Sequence, residues 1–169
     1  MILLGYEIRR AVTDDAKYLA NIIVESWKAT YINIIPEDEI AKFLDKERRQ
    51  KQFERFIEDG EIVLIGIFDG MPCGLVFANK DNDEQLAKCG SIYSMYFLKE
   101  YWGKGLGTKL MDEIINILKN EGCKQVSLWV YETNIRARNF YEKNGFIFDG
   151  TKKYSHFSNK PIELRYVKQ

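Results

Sequence analysis

Two hydrophobic periods alternate along the chain, and the switches between them mark the elements. Residues 5–12, GYEIRRAV, alternate closely enough for a strand. Thr13 then reads as a helix N-cap ahead of Asp14 and Asp15. Ala16, Leu19, Ala20, Ile23 and Trp27 follow at helical spacing until Pro36 interrupts. A second helical region covers 37–58, broken near Asp45. EIVLIGIF (61–68) is an unbroken apolar strand, Asp69-Gly70 a hairpin turn and MPCGLVFAN (71–79) its partner. KDNDEQ (80–85) is a polar loop, and CGSIYSMYFL (89–98) is a long aromatic strand. Leu106, Leu110, Met111, Ile114, Ile115 and Leu118 form one helical face, closed by Gly122. KQVSLWVYE (124–132) returns to strand. Ala137, Phe140 and Tyr141 mark a short helix that stops at Asn144-Gly145. FIFDGTKKY (146–154) and PIELRYV (161–167) pair around a turn that holds His156.

The order β-α-α-β-β-β-α-β-α-β-β predicts an α/β fold. Its sheet is mixed: the hairpins require antiparallel neighbours, while the strand–helix–strand unit over 90–131 requires a parallel pair. No repeat, low-complexity tract or Pro/Gly/Ser-rich linker divides the 169 residues, so a single domain over 1–169 is expected.

Charge and composition narrow the function. The 25 basic and 25 acidic residues cancel, which leaves no overall field for nucleic acid or an anionic membrane. MILLGYEIRR is too short an apolar run for a signal peptide or a membrane span. Cys73, Cys89 and Cys123 are scattered and odd in number, with no C-x-x-C, which fits a reducing compartment. A soluble cytoplasmic protein with no nucleic-acid or membrane partner is expected. His156 is the only histidine, so any Ser-His-Asp triad would have to use it and a zinc site could draw one imidazole. Turn chemistry already explains its segment, SHFSNK, and no metal is expected.

The candidate chemistry lies in EYWGKGLGTK (100–109), where Gly103, Gly105 and Gly107 alternate between a strand and an amphipathic helix. Such a junction presents unpaired N–H groups at the positive end of a helix dipole. Glycines let the backbone turn sharply and approach a ligand, and phosphate is the natural guest. Lys104 adds a cation and Thr108 a hydroxyl. The G-x-G-x-x-G dinucleotide pattern fails because its third glycine falls on Thr108. The P-loop pattern fails because Lys104 is followed by Gly105.

YFLKEYWGKGLGTKLMDEI resembles the acetyl-CoA loop of the GCN5-related N-acetyltransferase (GNAT) family, whose motif Arg/Gln-x-x-Gly-x-Gly/Ala maps onto Trp102-Gly103-Lys104-Gly105-Leu106-Gly107. Trp102 stands where the family usually has Arg or Gln. LWVYETNIRARNFYEKNGF is similar to the family's next strand and helix, with Asn134, Ala137, Phe140, Tyr141, Lys143, Gly145 and Phe146 all matching. ESWKATYINIIPEDEI resembles a helix pair that closes the substrate side in many members.

The resemblance implies the GNAT acyl-CoA N-acyltransferase fold, with a mixed central sheet of seven strands and flanking helices, and acetyl-CoA as cosubstrate. It places the pyrophosphate on Trp102, Gly103, Lys104, Gly105, Leu106, Gly107 and Thr108. It splays the two strands around the loop, so that Phe97 and Leu98 offer backbone groups to the pantetheine arm. Asn134, Ala137, Phe140 and Lys143 would flank the cofactor, although an N-cap alone also explains Asn134. Tyr141 would protonate the leaving thiolate, with a core aromatic as its plainer reading. The strand SIYSMYF carries no acid, so Glu132, or else Glu25 or water, would serve as general base. Trp27 and Tyr31 would line the acceptor pocket or fill the core. The implied activity is acetyl transfer to a primary amine by direct attack in a ternary complex. The acceptor would be a small molecule or a peptide, and a homodimer fits the family's habit. A non-catalytic CoA-binding sensor of the same fold and a nucleotide-dependent enzyme are the rivals.

Overall fold

A computed structural model describes residues 5–81 and 85–169. Its seven strands are β1 (Tyr6–Arg10), β2 (Ile62–Phe68), β3 (Met71–Asp81), β4 (Cys89–Phe97), β5 (Gln125–Tyr131), β6 (Ile147–Tyr154) and β7 (Ile162–Lys168). Its helices are α1 (Ala16–Tyr31), α2 (Glu37–Ile40), α3 (Lys46–Glu58), α4 (Leu106–Asn120) and α5 (Ile135–Lys143). The strands form one sheet in the order β1-β2-β3-β4-β5-β7-β6. β4 and β5 are parallel, and every other pair is antiparallel. The α/β mixed sheet expected from the sequence is therefore present. No helix among the described residues is long and apolar enough to cross a membrane.

The unbroken apolar run of β2 has a simple cause, since the sheet is covered on both faces. Ile62 and Leu64 of β2, with Val76 and Ala78 of β3, join the α4 residues Leu110, Met111, Ile114 and Leu118. Val63, Ile65 and Leu75 point the other way, into a cluster with Leu19, Ile22 and Ile23 of α1 and Phe53 of α3. Asp69 and Gly70 both take positive φ, 49° and 78°, as a two-residue hairpin loop requires.

Three local expectations change. Thr13 begins a short 3₁₀ turn instead of capping α1. The 37–58 region divides into α2, a 3₁₀ turn at Ala41–Phe43 and α3, whose N-cap Asp45 accepts the Arg48 N–H at 3.0 Å. β3 runs on to Asp81, and residues 82–84 of the expected polar loop, like residues 1–4, lie outside the described residues.

The feature that positions the site is the end of the parallel pairing. β4 and β5 pair only from Cys89–Gln125 to Ile92–Leu128. Beyond that, β4 stays with β3 and β5 stays with β7. Against β3, Phe77 faces Ser94 while Ala78 faces Ile92, so Tyr93 is the extra residue of a bulge. The bulge bends β4 away from β5, and the two strands splay.

Asp15 anchors the chain where β1 turns into α1. Its carboxylate accepts Arg9 Nη1 at 2.6 Å, Arg9 Nη2 at 3.0 Å and the Val12 N–H at 2.8 Å. Burial alone would raise the Asp15 carboxyl, but the Arg9 and Val12 hydrogen bonds outweigh it and hold it below the usual range. Its stabilisation is thus present above the ordinary aspartate value and lost as pH falls through the lowered one. Asp15→Asn is expected to cost about 1–3 kcal/mol at neutral pH. Urea melts should show the gap to the wild type closing in acid.

Candidate active site

The loop after β4 owes its shape to its glycines. Gly103 and Gly105 have φ of 74° and 77°, a region that L side chains rarely adopt. Gly105 is the N-cap of α4 and provides no side-chain cap, so the first N–H groups of the helix remain available. Gly107 serves a different need. A Cβ there would lie 3.1 Å from the Phe140 ring, so the glycine lets α4 approach α5 closely. The Leu106 side chain is buried and pins the turn, while Gly103, Lys104, Gly105 and Thr108 are exposed.

This loop lines a cavity of about 340 Å³. Phe97, Trp102, Gly103, Lys104, Gly105, Leu106, Gly107 and Thr108 line one side, with Ala137, Phe140, Tyr141 and Lys143 of α5 opposite. Leu98 is not among the lining residues. Its N–H donates to the Cys73 carbonyl at 3.0 Å and its carbonyl accepts from Tyr101 at 2.9 Å. Both backbone groups of Leu98 are therefore used by the fold. The Phe97 carbonyl accepts Trp102 Nε1 at 2.9 Å and Ser26 Oγ at 3.1 Å.

Trp102 also carries the Arg136 guanidinium, stacked 3.4 Å from its ring. Arg136 lines this cavity and the next, and has no carboxylate or hydrogen-bond partner among the described residues. Partial burial lowers its pKa. A guanidinium is thus held on the face of Trp102, at the edge of the cavity.

A second cavity of about 270 Å³ adjoins the first and shares Tyr141, Arg136 and Ala137 with it. Its walls are aromatic: Trp27 and Tyr31 of α1, Tyr93 and Tyr96 of β4, and Trp129 and Tyr131 of β5. Tyr31 Oη lies 3.1 Å from Tyr96 Oη. Burial raises the pKa of both, and that of Tyr131 to about 12. Tyr141 sits where the cavities meet. Its hydroxyl makes no hydrogen bond among the described residues. Burial first, then the neighbouring Tyr96, raise its pKa, against a smaller lowering by Arg136.

Asn134 lines the second cavity, and its side-chain oxygen caps α5 by accepting the Ala137 N–H at 3.3 Å. Glu132 is displaced from its expected place. It lines neither cavity, and its carboxylate pairs with Lys152 at 2.9 Å. The physical reason is strand alternation: Tyr131 faces the cavity, so the next residue faces away. Glu25 is also outside, bound to Lys46 at 3.0 Å and Lys28 at 3.2 Å. The carboxylate that lines the second cavity is Glu163 of β7, directly opposite Tyr131 in register and 3.7 Å from Lys153. Sequence reasoning missed Glu163 and Arg136. Pairing FIFDGTKKY with PIELRYV gave no clue that β7 would sit beside β5. Arg136, two residues past the Asn134 cap, stood in a motif read only for its matching positions. His156 is exposed in the β6–β7 turn, its ring tilted against Phe157, as expected for a turn residue. No cluster of metal-ligating side chains occurs among the described residues.

Comparison with known proteins bears on the family and the fold. The model of the acetyltransferase (GNAT) family matches residues 22–146. The spermidine N(1)-acetyltransferase of Thermoplasma acidophilum is 27% identical over 165 residues, covering 95% of this chain and 99% of that protein. An uncharacterized N-acetyltransferase of Archaeoglobus fulgidus is 30% identical over 139 residues, covering 80% of this chain and 88% of that one. The crystal structure of the PaiA N-acetyltransferase of Thermoplasma acidophilum in complex with coenzyme A superposes with a TM-score of 0.76 at 24% identity. That match covers 96% of this chain and 98% of the other.

The half-buried, cavity-lining Tyr141 should stay protonated well beyond the ordinary tyrosine value of 10.0. The tyrosinate absorbance lost in Tyr141→Phe, read as a difference spectrum against the wild type, should therefore emerge only above that pH. A difference signal at or below it would contradict the buried environment.

Proposed function

Since the chain belongs to the GNAT family of acetyltransferases, we propose that it moves acetyl from acetyl-CoA to a primary amine held in the aromatic cavity, by direct attack in a ternary complex. The observation that carries this reading is the pair of adjoining cavities that meet at Tyr141. One has a phosphate-binding helix terminus at its edge and the other has an aromatic wall. A binding module would need only the first.

The residues fit the cosubstrate. The uncapped α4 terminus and the left-handed Gly103 and Gly105 favour a pyrophosphate at the loop, with Lys104 and Thr108 beside it. Arg136, unpaired in the cleft, is available to a further anionic oxygen. The sheet gap past Ile92 and Leu128 leaves β4 backbone groups for an amide-bearing arm. The Phe97 carbonyl already accepts Trp102 and Ser26, so its N–H is the group that would serve the arm, and Leu98 is already committed.

Acetyl-CoA supplies a thioester carbonyl that a neutral amine can attack. As the new C–N bond forms and the C–S bond breaks, Tyr141 Oη donates its proton to the departing sulfur. The phenol is protonated at neutral pH; burial raises its pKa, and the Arg136 guanidinium beside it works the other way, easing release of the proton. Glu163 faces the acceptor side, where it receives the amine's ammonium form and the proton it sheds, in the place first assigned to Glu132. A second proton, shed by the attacking nitrogen as the amide forms, passes through water to the tyrosinate and restores the phenol. The aromatic faces of Trp27, Tyr31 and Tyr131 complement a cationic or apolar amine.

Three measurements test these roles. CoA at a hundredfold excess over its Kd should raise the stability of the native protein by about 2.7 kcal/mol in a thermal shift. Tyr141→Phe should keep that shift while kcat falls about 10²- to 10⁴-fold; an unchanged kcat would remove Tyr141 as the acid. Glu163→Gln should raise the KM for the amine about tenfold or more, as expected for losing a hydrogen bond to a charged group, with acetyl-CoA affinity unaltered. An unaffected KM would leave the ammonium without its partner.

A further inference from the structure

We propose that the acceptor cavity is a blind chamber that takes a small amine and excludes a polypeptide chain; this rests on the transferase reading above. A wedge between two splayed strands would suit an extended peptide if it stayed open along its length. Here it is closed. Tyr31 Oη meets Tyr96 Oη of β4 at 3.1 Å, and the Tyr31 ring meets Tyr131 of β5 edge-on at 5.4 Å. One side chain from α1 thus spans the gap from strand to strand.

The wall behind it is solid. Ile35, Ile40 and Phe157 form a buried cluster on which Trp27, Tyr31 and Tyr131 pack. Phe43 meets Phe157 edge-on at 5.6 Å. Polar ties then join the segment after α1 to the β6–β7 turn. The Glu39 carboxylate accepts the Ser158 N–H at 3.1 Å and also the Ser158 hydroxyl. Asn159 Nδ2 donates to the Ile34 carbonyl at 2.8 Å. These partners lie 119 and 125 residues apart in sequence, so the ties bridge two separate parts of the fold.

A peptide passing between α2 and the β6–β7 turn would need free backbone groups and an open path. The Ile34 carbonyl and the Ser158 N–H are already paired, and the path is filled by Phe157 and Tyr31. Away from the cofactor cavity, the exposed lining residues are Tyr93 and Lys153, which puts the mouth of the chamber on their side. About 270 Å³ is then space for a compact molecule.

The test compares acceptors on the intact protein. Free-thiol release from acetyl-CoA is followed with a panel of small primary amines, including polyamines, arylalkylamines and amino acids. Short peptides with a free N-terminus or an internal lysine are measured alongside. The best small amine should exceed the best peptide in kcat/KM by about a hundredfold. A peptide used as well as the best amine overturns the proposal. Release with neither, from protein that still gains stability with CoA, overturns the transferase reading and the proposal together. Glu39→Ala combined with Asn159→Ala, shown to be folded by its retained CoA shift, should narrow the gap between peptide and amine. An unchanged gap in that folded variant overturns the tie between α2 and the β6–β7 turn as the barrier.

Discussion

Everything at this site depends on one interrupted ladder. β4 and β5 share parallel pairing over four residues, Cys89 to Ile92, and then part. The bulge at Tyr93 supplies the bend, because an extra residue in one strand raises its twist and turns it from its neighbour. Each strand keeps its outer partner, β3 for β4 and β7 for β5, so the sheet survives while its centre opens. Without the splay, α4 and α5 would cap an ordinary closed sheet, and no cavity would run between them.

The chemistry around the gap divides by polarity. At the loop, the backbone provides the donors: left-handed glycines expose N–H groups, and the α4 dipole favours an anion. In the second cavity, the walls are phenols and indoles, and partial burial keeps the phenols neutral. Their raised pKa values follow from burial, which disfavours phenolate. Tyr141 stands on the border, touching both environments. Trp102 links them in another way, since it fixes the end of β4 through the Phe97 carbonyl and holds Arg136 on its face.

How much of this could be read in the sequence varied with the range of the interaction. The α4 face of Leu110, Met111, Ile114 and Leu118 was plain because a helix repeats its own period. Asp69-Gly70 was plain because a hairpin loop tolerates few residues. Thr13 misled because a 3₁₀ turn and a helix start share the same N-cap composition, and Asp15 won by reaching Arg9 across the β1–α1 turn. Glu132 misled because position at a strand end does not tell which face a side chain takes. Glu163 was hidden because only the pairing of β5 with β7 sets it opposite Tyr131.

The sequence by itself determined the order of elements, the mixed sheet and the glycine loop at a helix start, since each follows from local periodicity and backbone freedom within a few residues. It also carried the two motifs that identify the family. Tertiary structure alone decided which carboxylate lines the aromatic cavity, that Arg136 stacks on Trp102, and that the segment after α1 meets the β6–β7 turn. These facts depend on strand register and on contacts between residues more than a hundred positions apart. No local pattern encodes such contacts, because the free energy that selects them comes from packing the whole sheet.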